Sequence, residues 1–497
     1  MVILEVRKNM EHTDINKKVS NAIKWSSLAE ISAKFITPFT SMVLARILTP
    51  DEFGIIATVN MVTSFADIFT DAGFQKYLIQ EKFEFENELK KSANVAFWAN
   101  LGISIAIWVL ISVFSEQIAV LVGNPGLGNV IVIASIALVF TSFSSIQMAI
   151  YKKKFDFKTL FYVRLLGAFV PVIVTIPLAS LGYSYWSVII GTLVTQFLIA
   201  LVLTLKSEWK PYLYFNSQIL KRMFGFSVWI LIESIFLWLT SYIDVFFVGN
   251  GLNSYYLGLY KNSITIVNGL FNIVISATSS VLLSTLADVK EDKTEYDRMF
   301  FLFQRSVGIL LIPIGVGVFI YRNLATSIIL GNQWSEASLL IGLWGLANAF
   351  TILTGQYISI VFTSKGKPKL AVLSQVLQLF ELIPLLLLGL NFGFKALIVT
   401  RCIARLLYGV INLLIARVYL GVHITKTLKN LLPSIISSIV MGVIALVLMK
   451  VSDSYIWQFV TIAIDALIYF TVSMAFPSSR GVILGFVGKL SKDKRIN

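Results

Sequence analysis

Stretches of about 20 mostly apolar residues, the length an α-helix needs to cross roughly 30 Å of hydrocarbon, recur along this chain from Ala22 almost to its C-terminus. No other feature limits the fold as strongly. Fourteen such spans follow from the windows between charged and turn residues, opening with Ala22–Ile47 and Phe53–Phe74 and closing with Leu428–Met449 and Ile456–Phe476. Of the 497 residues only 14% are charged and 57% are hydrophobic, against about 25% charged in a soluble domain. An ordinary water-soluble enzyme is excluded, and no long polar stretch leaves room for a separate catalytic module. The expected fold is therefore all-α and polytopic.

The excess of 41 Lys+Arg over 27 Asp+Glu, a formal charge of +14, reads as membrane topology rather than nucleic-acid binding. Basic residues collect in alternate loops, as the positive-inside rule requires. One side holds Lys76, Lys82, Lys90 and Lys91, then Lys152 to Lys154, then Lys206, Lys210, Lys221 and Arg222, and so on to Arg417, Lys426 and Lys429. The opposite loops hold little beyond Arg322, Lys395 and Lys450. Both termini are expected to be cytoplasmic. Residues 1–20 lack the apolar core and cleavage site of a secretory signal, so the first helix directs insertion. The lone cysteine, Cys402, lies in an apolar run, which leaves no disulfide framework and no cysteine metal site. No cofactor or metal is expected.

Two loops imitate catalytic motifs. Thr49-Pro50-Asp51-Glu52 places acids in the first outer loop, but Thr at the N-cap, Pro at the first helical position and Glu at the third form a capping box. Gly123-Asn124-Pro125-Gly126-Leu127-Gly128 is glycine-rich but lacks the strand and the Lys-Ser/Thr of a phosphate loop, and reads as a turn.

Within the spans, polar residues recur at helical spacing. Span one carries Ser27, Glu30, Lys34, Thr37 and Ser41 on one face, and span two carries Asn60, Ser64, Asp67 and Asp71. Span seven has Glu233, Thr240 and Asp244, and span eight has Lys261, Thr265, Asn268, Asn272, Ser276 and Ser279. The loops joining each pair carry Phe53-Gly54-Ile55 and Leu257-Gly258-Leu259, which marks a weak internal repeat of six helices of the kind many transporters contain. The expected organisation is an N-terminal tail 1–21, a first lobe 22–206, a linker 207–222, a second lobe 223–420, an added helix pair 421–476 and a basic tail 477–497. Further intramembrane polar groups are Arg305, then Gln375, Gln378 and Glu381, then Arg401, Arg405 and Asn412. Charges at such depth are costly and face a bundle interior or a water-filled cavity. Guanidinium groups bind phosphate oxygens bidentately and stay charged. Lys34, Lys261, Arg305, Arg401 and Arg405 are thus candidates for an anionic, phosphate-bearing cargo. Glu30, Asp67, Glu233, Asp244 and Glu381 are candidates for ion coupling or charge pairing, and Asn60, Asn268, Asn272, Gln375, Gln378 and Asn412 for a polar lining.

The segment Ala45-Arg46-Ile47-Leu48-Thr49-Pro50-Asp51-Glu52-Phe53-Gly54, with Asp71-Ala72-Gly73-Phe74, Asp244 and the Gly258-Leu259-Tyr260 turn, resembles the polysaccharide-transporter (Wzx-type) flippases. These belong to the MATE/MOP exporter superfamily, which shares a two-lobe design. The resemblance spans essentially the whole chain and implies movement of an undecaprenyl-pyrophosphate-linked oligosaccharide repeat unit across a bacterial cytoplasmic membrane by ion-coupled alternating access. The partners it implies are the lipid-linked oligosaccharide, the bilayer and the polysaccharide polymerase and assembly machinery, with no nucleic acid and with a monomer as the working unit. Lys261 departs from the small or neutral residue expected at its position. Two rival readings are a membrane-embedded polymerase or glycosyltransferase, which needs a substantial outer domain, and a MATE-like small-molecule exporter, which needs an acidic and aromatic cavity.

Overall fold

The computed structural model describes residues 36–493, Ala72 excepted, together with scattered positions between 21 and 32. Among the described residues every regular element is helical, and 13 helices are long and apolar enough to cross a membrane. They coincide with the second to fourteenth spans drawn from the sequence. The first span is represented by the shorter apolar helix Ile36–Ile47, its earlier part lying outside the described residues. The protein is a multi-pass membrane protein.

Burial runs opposite to that of a soluble domain. Large apolar side chains such as Ile173, Leu205, Phe380, Val418 and Ile456 are exposed, whereas Asn94, Asn100, Gln147, Gln304 and Asn412 are buried. Water drives apolar surface inward, but lipid exerts no such force, so small and polar residues take the helix interfaces.

Helix starts follow local chemistry. Thr49 and Glu52 form the expected capping box: the Thr49 amide donates to Glu52 Oε2 at 2.6 Å and the Glu52 amide donates to Thr49 Oγ1 at 3.4 Å. The acids of this loop are thereby accounted for by helix initiation. Replacing Thr49 with Ala is expected to cost about 1 kcal/mol, read as a lowered melting temperature of the purified protein, with Ser restoring it. Asp156, Asn216 and Asp292 cap three further helices through their side-chain oxygens. The glycine-rich segment at 123–128 is the expected turn, with Gly123 and Gly126 at positive φ. The helices Ser217–Gly251 and Ser254–Asp288 have 35 residues each, on the order of 50 Å at about 1.5 Å per residue, so both extend beyond the hydrocarbon.

The chain divides into two compact units, Met1–Gly258 and Leu259–Asn497. Drawn by packing, the division places the Ser217–Gly251 helix in the first unit, where it lies along Pro50–Asp71; drawn by repeat pattern, the lobes part at 207–222. In the first unit Ala137–Lys153 is central, packed on Glu86–Val113, Phe74–Gln80 and Trp186–Lys206, around Phe74, Leu78, Phe97 and Ile146. In the second, Lys369–Asn391 pairs with Phe394–Leu420, and Lys293–Ile320 packs on both Ser338–Thr351 and Ile424–Leu448. The last membrane helix, Tyr455–Met474, is tied in by buried polar bonds. The Tyr321 hydroxyl donates to Asp465 Oδ2 at 2.5 Å and lies 2.9 Å from Thr461 Oγ1, and the Tyr469 hydroxyl donates to the Ile309 carbonyl at 2.8 Å.

Candidate functional site

In the second unit the Phe394–Leu420 helix presents Arg401 and Arg405 one turn apart, on the face that meets the Ser338–Thr351 helix. Their guanidinium carbons lie 4.8 Å and 5.5 Å from the ring centroid of Trp344. Arg401 Nε donates to the Tyr260 hydroxyl at 2.7 Å, and Arg405 Nε donates to Asn348 Oδ1 at 2.9 Å. Asn268 closes the network: its Oδ1 accepts from Trp344 Nε1 at 3.0 Å and from Asn348 Nδ2 at 2.8 Å. The Thr351 hydroxyl donates to the Arg405 carbonyl at 2.8 Å, which locks the two helices in register. Directly after Thr351 the helix widens into a π-turn, Ile352–Gln356, an irregularity that is frequent at functional sites.

Arg401 is buried and Arg405 half-buried. Among the described residues no carboxylate forms an ion pair with Arg405. It is held by an amide, by Trp344 and by the Tyr408 ring, 6.0 Å away. Aromatic faces attract cations by up to about 2 kcal/mol or more when desolvated, without consuming the outer N–H groups of the fork. Glu381, on the adjoining Lys369–Asn391 helix, is the nearby acid, and Arg401 is the charge that acts on it. Both Glu381 oxygens are buried without a hydrogen-bond partner among the described residues. Two guanidiniums thus lie one turn apart on the same indole, an arrangement that suits an anion.

The other candidates are distributed differently. Arg305 is engaged elsewhere, with Nε donating to Asn430 Oδ1 at 2.9 Å and Nη1 to the Ser478 carbonyl at 3.4 Å, so it ties Lys293–Ile320 to the C-terminal helices. Lys261 follows Tyr260 in sequence and is half-buried. Gln375 and Gln378 are half-buried on the Glu381 helix, and Asn272 is exposed. Asn412 is buried and donates to the Tyr408 carbonyl at 2.8 Å. In the first unit Asp67 Oδ1 accepts from the Thr70 hydroxyl at 3.0 Å, and buried Asp244 accepts from the Val245 amide at 2.8 Å. Glu233 is exposed and 3.7 Å from Lys76, while Asn60 is exposed. Glu30 and Lys34 lie outside the described residues.

Trp344 and Asn348 are not among the candidates the sequence offers, and Tyr260 figures there only in a turn. Trp344, Asn348 and Thr351 recur at steps of four and three in an otherwise apolar run, so a stripe was present, but it carries no charge and drew no notice.

The two repeat motifs also meet. A Cβ at Gly54 would fall 1.9 Å from the Ser254 carbonyl oxygen, and one at Gly258 would fall 1.7 Å from that of Pro50. Each glycine therefore sits on the carbonyl four residues before the other. Asp51 Oδ1 accepts from the Ser254 hydroxyl at 2.5 Å beside this contact.

Residues 43–339 match the family described as "Polysaccharide biosynthesis protein", a match that ends before Trp344. The chain is 23% identical over 331 residues to the succinoglycan biosynthesis transport protein ExoT of Rhizobium meliloti (strain 1021), covering 67% of this chain and 66% of that protein. It is 21% identical over 380 residues to the lipopolysaccharide biosynthesis protein WzxC of Escherichia coli (strain K12), covering 76% of each. Among solved structures, the lipid II flippase MurJ in an inward closed conformation superposes with a TM-score of 0.75 at 16% identity, over 93% of this chain and all of that one. The two share a fold.

Proposed function

Because the chain belongs to the polysaccharide biosynthesis protein family, we propose that it is a flippase, moving an oligosaccharide repeat unit linked to undecaprenyl pyrophosphate from the inner to the outer leaflet of a bacterial cytoplasmic membrane. The transport protein for succinoglycan biosynthesis and the lipopolysaccharide biosynthesis protein among its relatives support this reading, as does a fold shared with a lipid II flippase. The observation that carries it is the pair Arg401 and Arg405, one turn apart on Trp344, with the Nε of each fixed by a neutral group. Two guanidiniums one turn apart repel each other, and a pyrophosphate bound across both forks relieves that repulsion with charge-assisted hydrogen bonds. Tyr260 and Asn348 fix the forks, and polar side chains along the spans meet the glycan. Alternating access of two lobes carries the head group across, and Glu381, buried beside Arg401, exchanges a cation or proton as cargo binds and leaves. The lysine and arginine alternation supports cytoplasmic termini, and one chain supplies a complete pathway as a monomer working beside the polymerase and assembly machinery.

Deletion of the gene in its host tests the proposal. Complete lipid-linked repeat units are expected to accumulate on the inner leaflet, and re-expression of the full chain is expected to clear them. Accumulation on the outer leaflet, or of truncated glycans, places the defect in polymerisation or sugar transfer and overturns the reading.

A further inference from the structure

The first unit contains a cavity of about 850 Å³ walled by the Pro50–Asp71, Glu86–Val113, Ser115–Leu121 and Ser217–Gly251 helices. Phe65, Phe69, Phe114, Trp238, Leu239 and Phe246 dominate its lining, which among the described residues includes no charged one. Three of its walls are membrane spans, and the apolar side chains Leu110, Phe114 and Leu121 that line it are half or more exposed, so the cavity has an open, apolar mouth. An apolar space in a bilayer fills with chains rather than water. Scaled from the roughly 150 Å³ that takes one benzene, its capacity is on the order of thirty carbon atoms. That matches either the two acyl chains of a phospholipid or a stretch of one much longer chain, and the polar face beside the cavity decides for the second.

We propose that this cavity holds part of the long polyprenyl chain of the cargo, an inference that rests on the flippase reading and names where the lipid tail is received. The Pro50–Asp71 helix has the two-sided character such a cargo requires. One face carries Asn60, Ser64 and Asp67, and the next carries Met61, Phe65 and Phe69 into the cavity. Trp238 marks the seam: its ring packs 4.7 Å from that of Phe65, while its Nε1 donates to Ser64 Oγ at 3.0 Å. A polar head along the first face leaves its tail at the mouth of the second. Ser64, half-buried, also keeps the indole N–H from being stranded in an apolar wall.

Photo-crosslinking of the purified full chain in lipid nanodiscs tests this, with a diazirine placed in the chain of undecaprenyl monophosphate. Label is expected on residues 61–69, 107–121 and 235–246, displaced by unlabelled undecaprenyl monophosphate and not by farnesyl monophosphate. Filling the cavity from opposite walls, Ala66→Trp and Leu239→Trp, is expected to lower labelling about tenfold each, as overpacking displaces the bound chain, with membrane level and melting temperature verifying the fold. Label spread evenly over lipid-facing residues overturns the proposal. So does equal, undisplaced labelling of the cavity by a diazirine phosphatidylethanolamine, which assigns it to bilayer lipid. The displacement arm uses the unaltered protein and stands if both variants misfold. Because the probe has no sugar and translocation is not read, a failed tail site and a failed flippase assignment separate: the first leaves inner-leaflet accumulation on gene deletion intact, and the second removes it.

Discussion

Replacement of Arg401 and Arg405 together by glutamine is expected to abolish export of lipid-linked repeat units while leaving the protein in the membrane. Each guanidinium on a phosphate contributes charge-assisted hydrogen bonds of about 1.5–3 kcal/mol, so losing both weakens cargo binding by on the order of a hundredfold or more. Arg401 also bonds Tyr260, and Arg405 bonds Asn348, so a structural loss has to be separated from a binding loss. The double lysine variant does this. It keeps both charges but not the planar fork, and is expected to retain partial export at reduced apparent affinity. Asn348→Ala is a second control, since it keeps both charges and frees the Arg405 fork to swing; a reduced rate with normal protein level is expected. The measurement is inner-leaflet accumulation of repeat units alongside membrane level and melting temperature. Full export by the double glutamine variant removes these arginines from the cargo site.

Gly54 and Gly258 give the second large effect. Adding a Cβ at either position places a carbon within 2 Å of a backbone oxygen on the facing helix, at Ser254 or Pro50. Backbone cannot rotate aside as a flexible side chain does, so the helices must part, which breaks the close packing that small residues permit. Gly54→Ala and Gly258→Ala are each expected to destabilise by about 1–3 kcal/mol, and larger side chains to prevent accumulation of the protein. Because each glycine contacts the carbonyl four residues before the other, the two substitutions report one contact. Once the first has separated the helices, the second is expected to cost much less, giving a coupling energy of about 1 kcal/mol or more in a double-mutant cycle. Additive losses in thermal unfolding of the two single variants and the double would show that the glycines act independently.

The placement of these groups shows where sequence reasoning ends. Thirteen of the spans, the capping box at Thr49 and the turn at 123–128 are local matters, decided by hydrophobic length and by a few neighbouring residues, so they were legible before any coordinates. The polar faces were legible too, because spacing along one helix decides which side chains share a side. Spacing is silent on which face meets which neighbour. It grouped Arg305 with Arg401 and Arg405 as cations of one kind, whereas packing commits Arg305 to Asn430 and Ser478 and sets the other two on Trp344. It marked Gly54 and Gly258 as a repeat without showing that the two motifs face each other. It also held no sign of the apolar cavity beside Trp238, since lining residues of a cavity and lipid-facing residues are the same amino acids. A polytopic helical protein with internal charge is written in the amino-acid order, because the bilayer imposes that pattern on every span separately. Which charges converge is set by packing, because convergence depends on how helices distant in the chain meet.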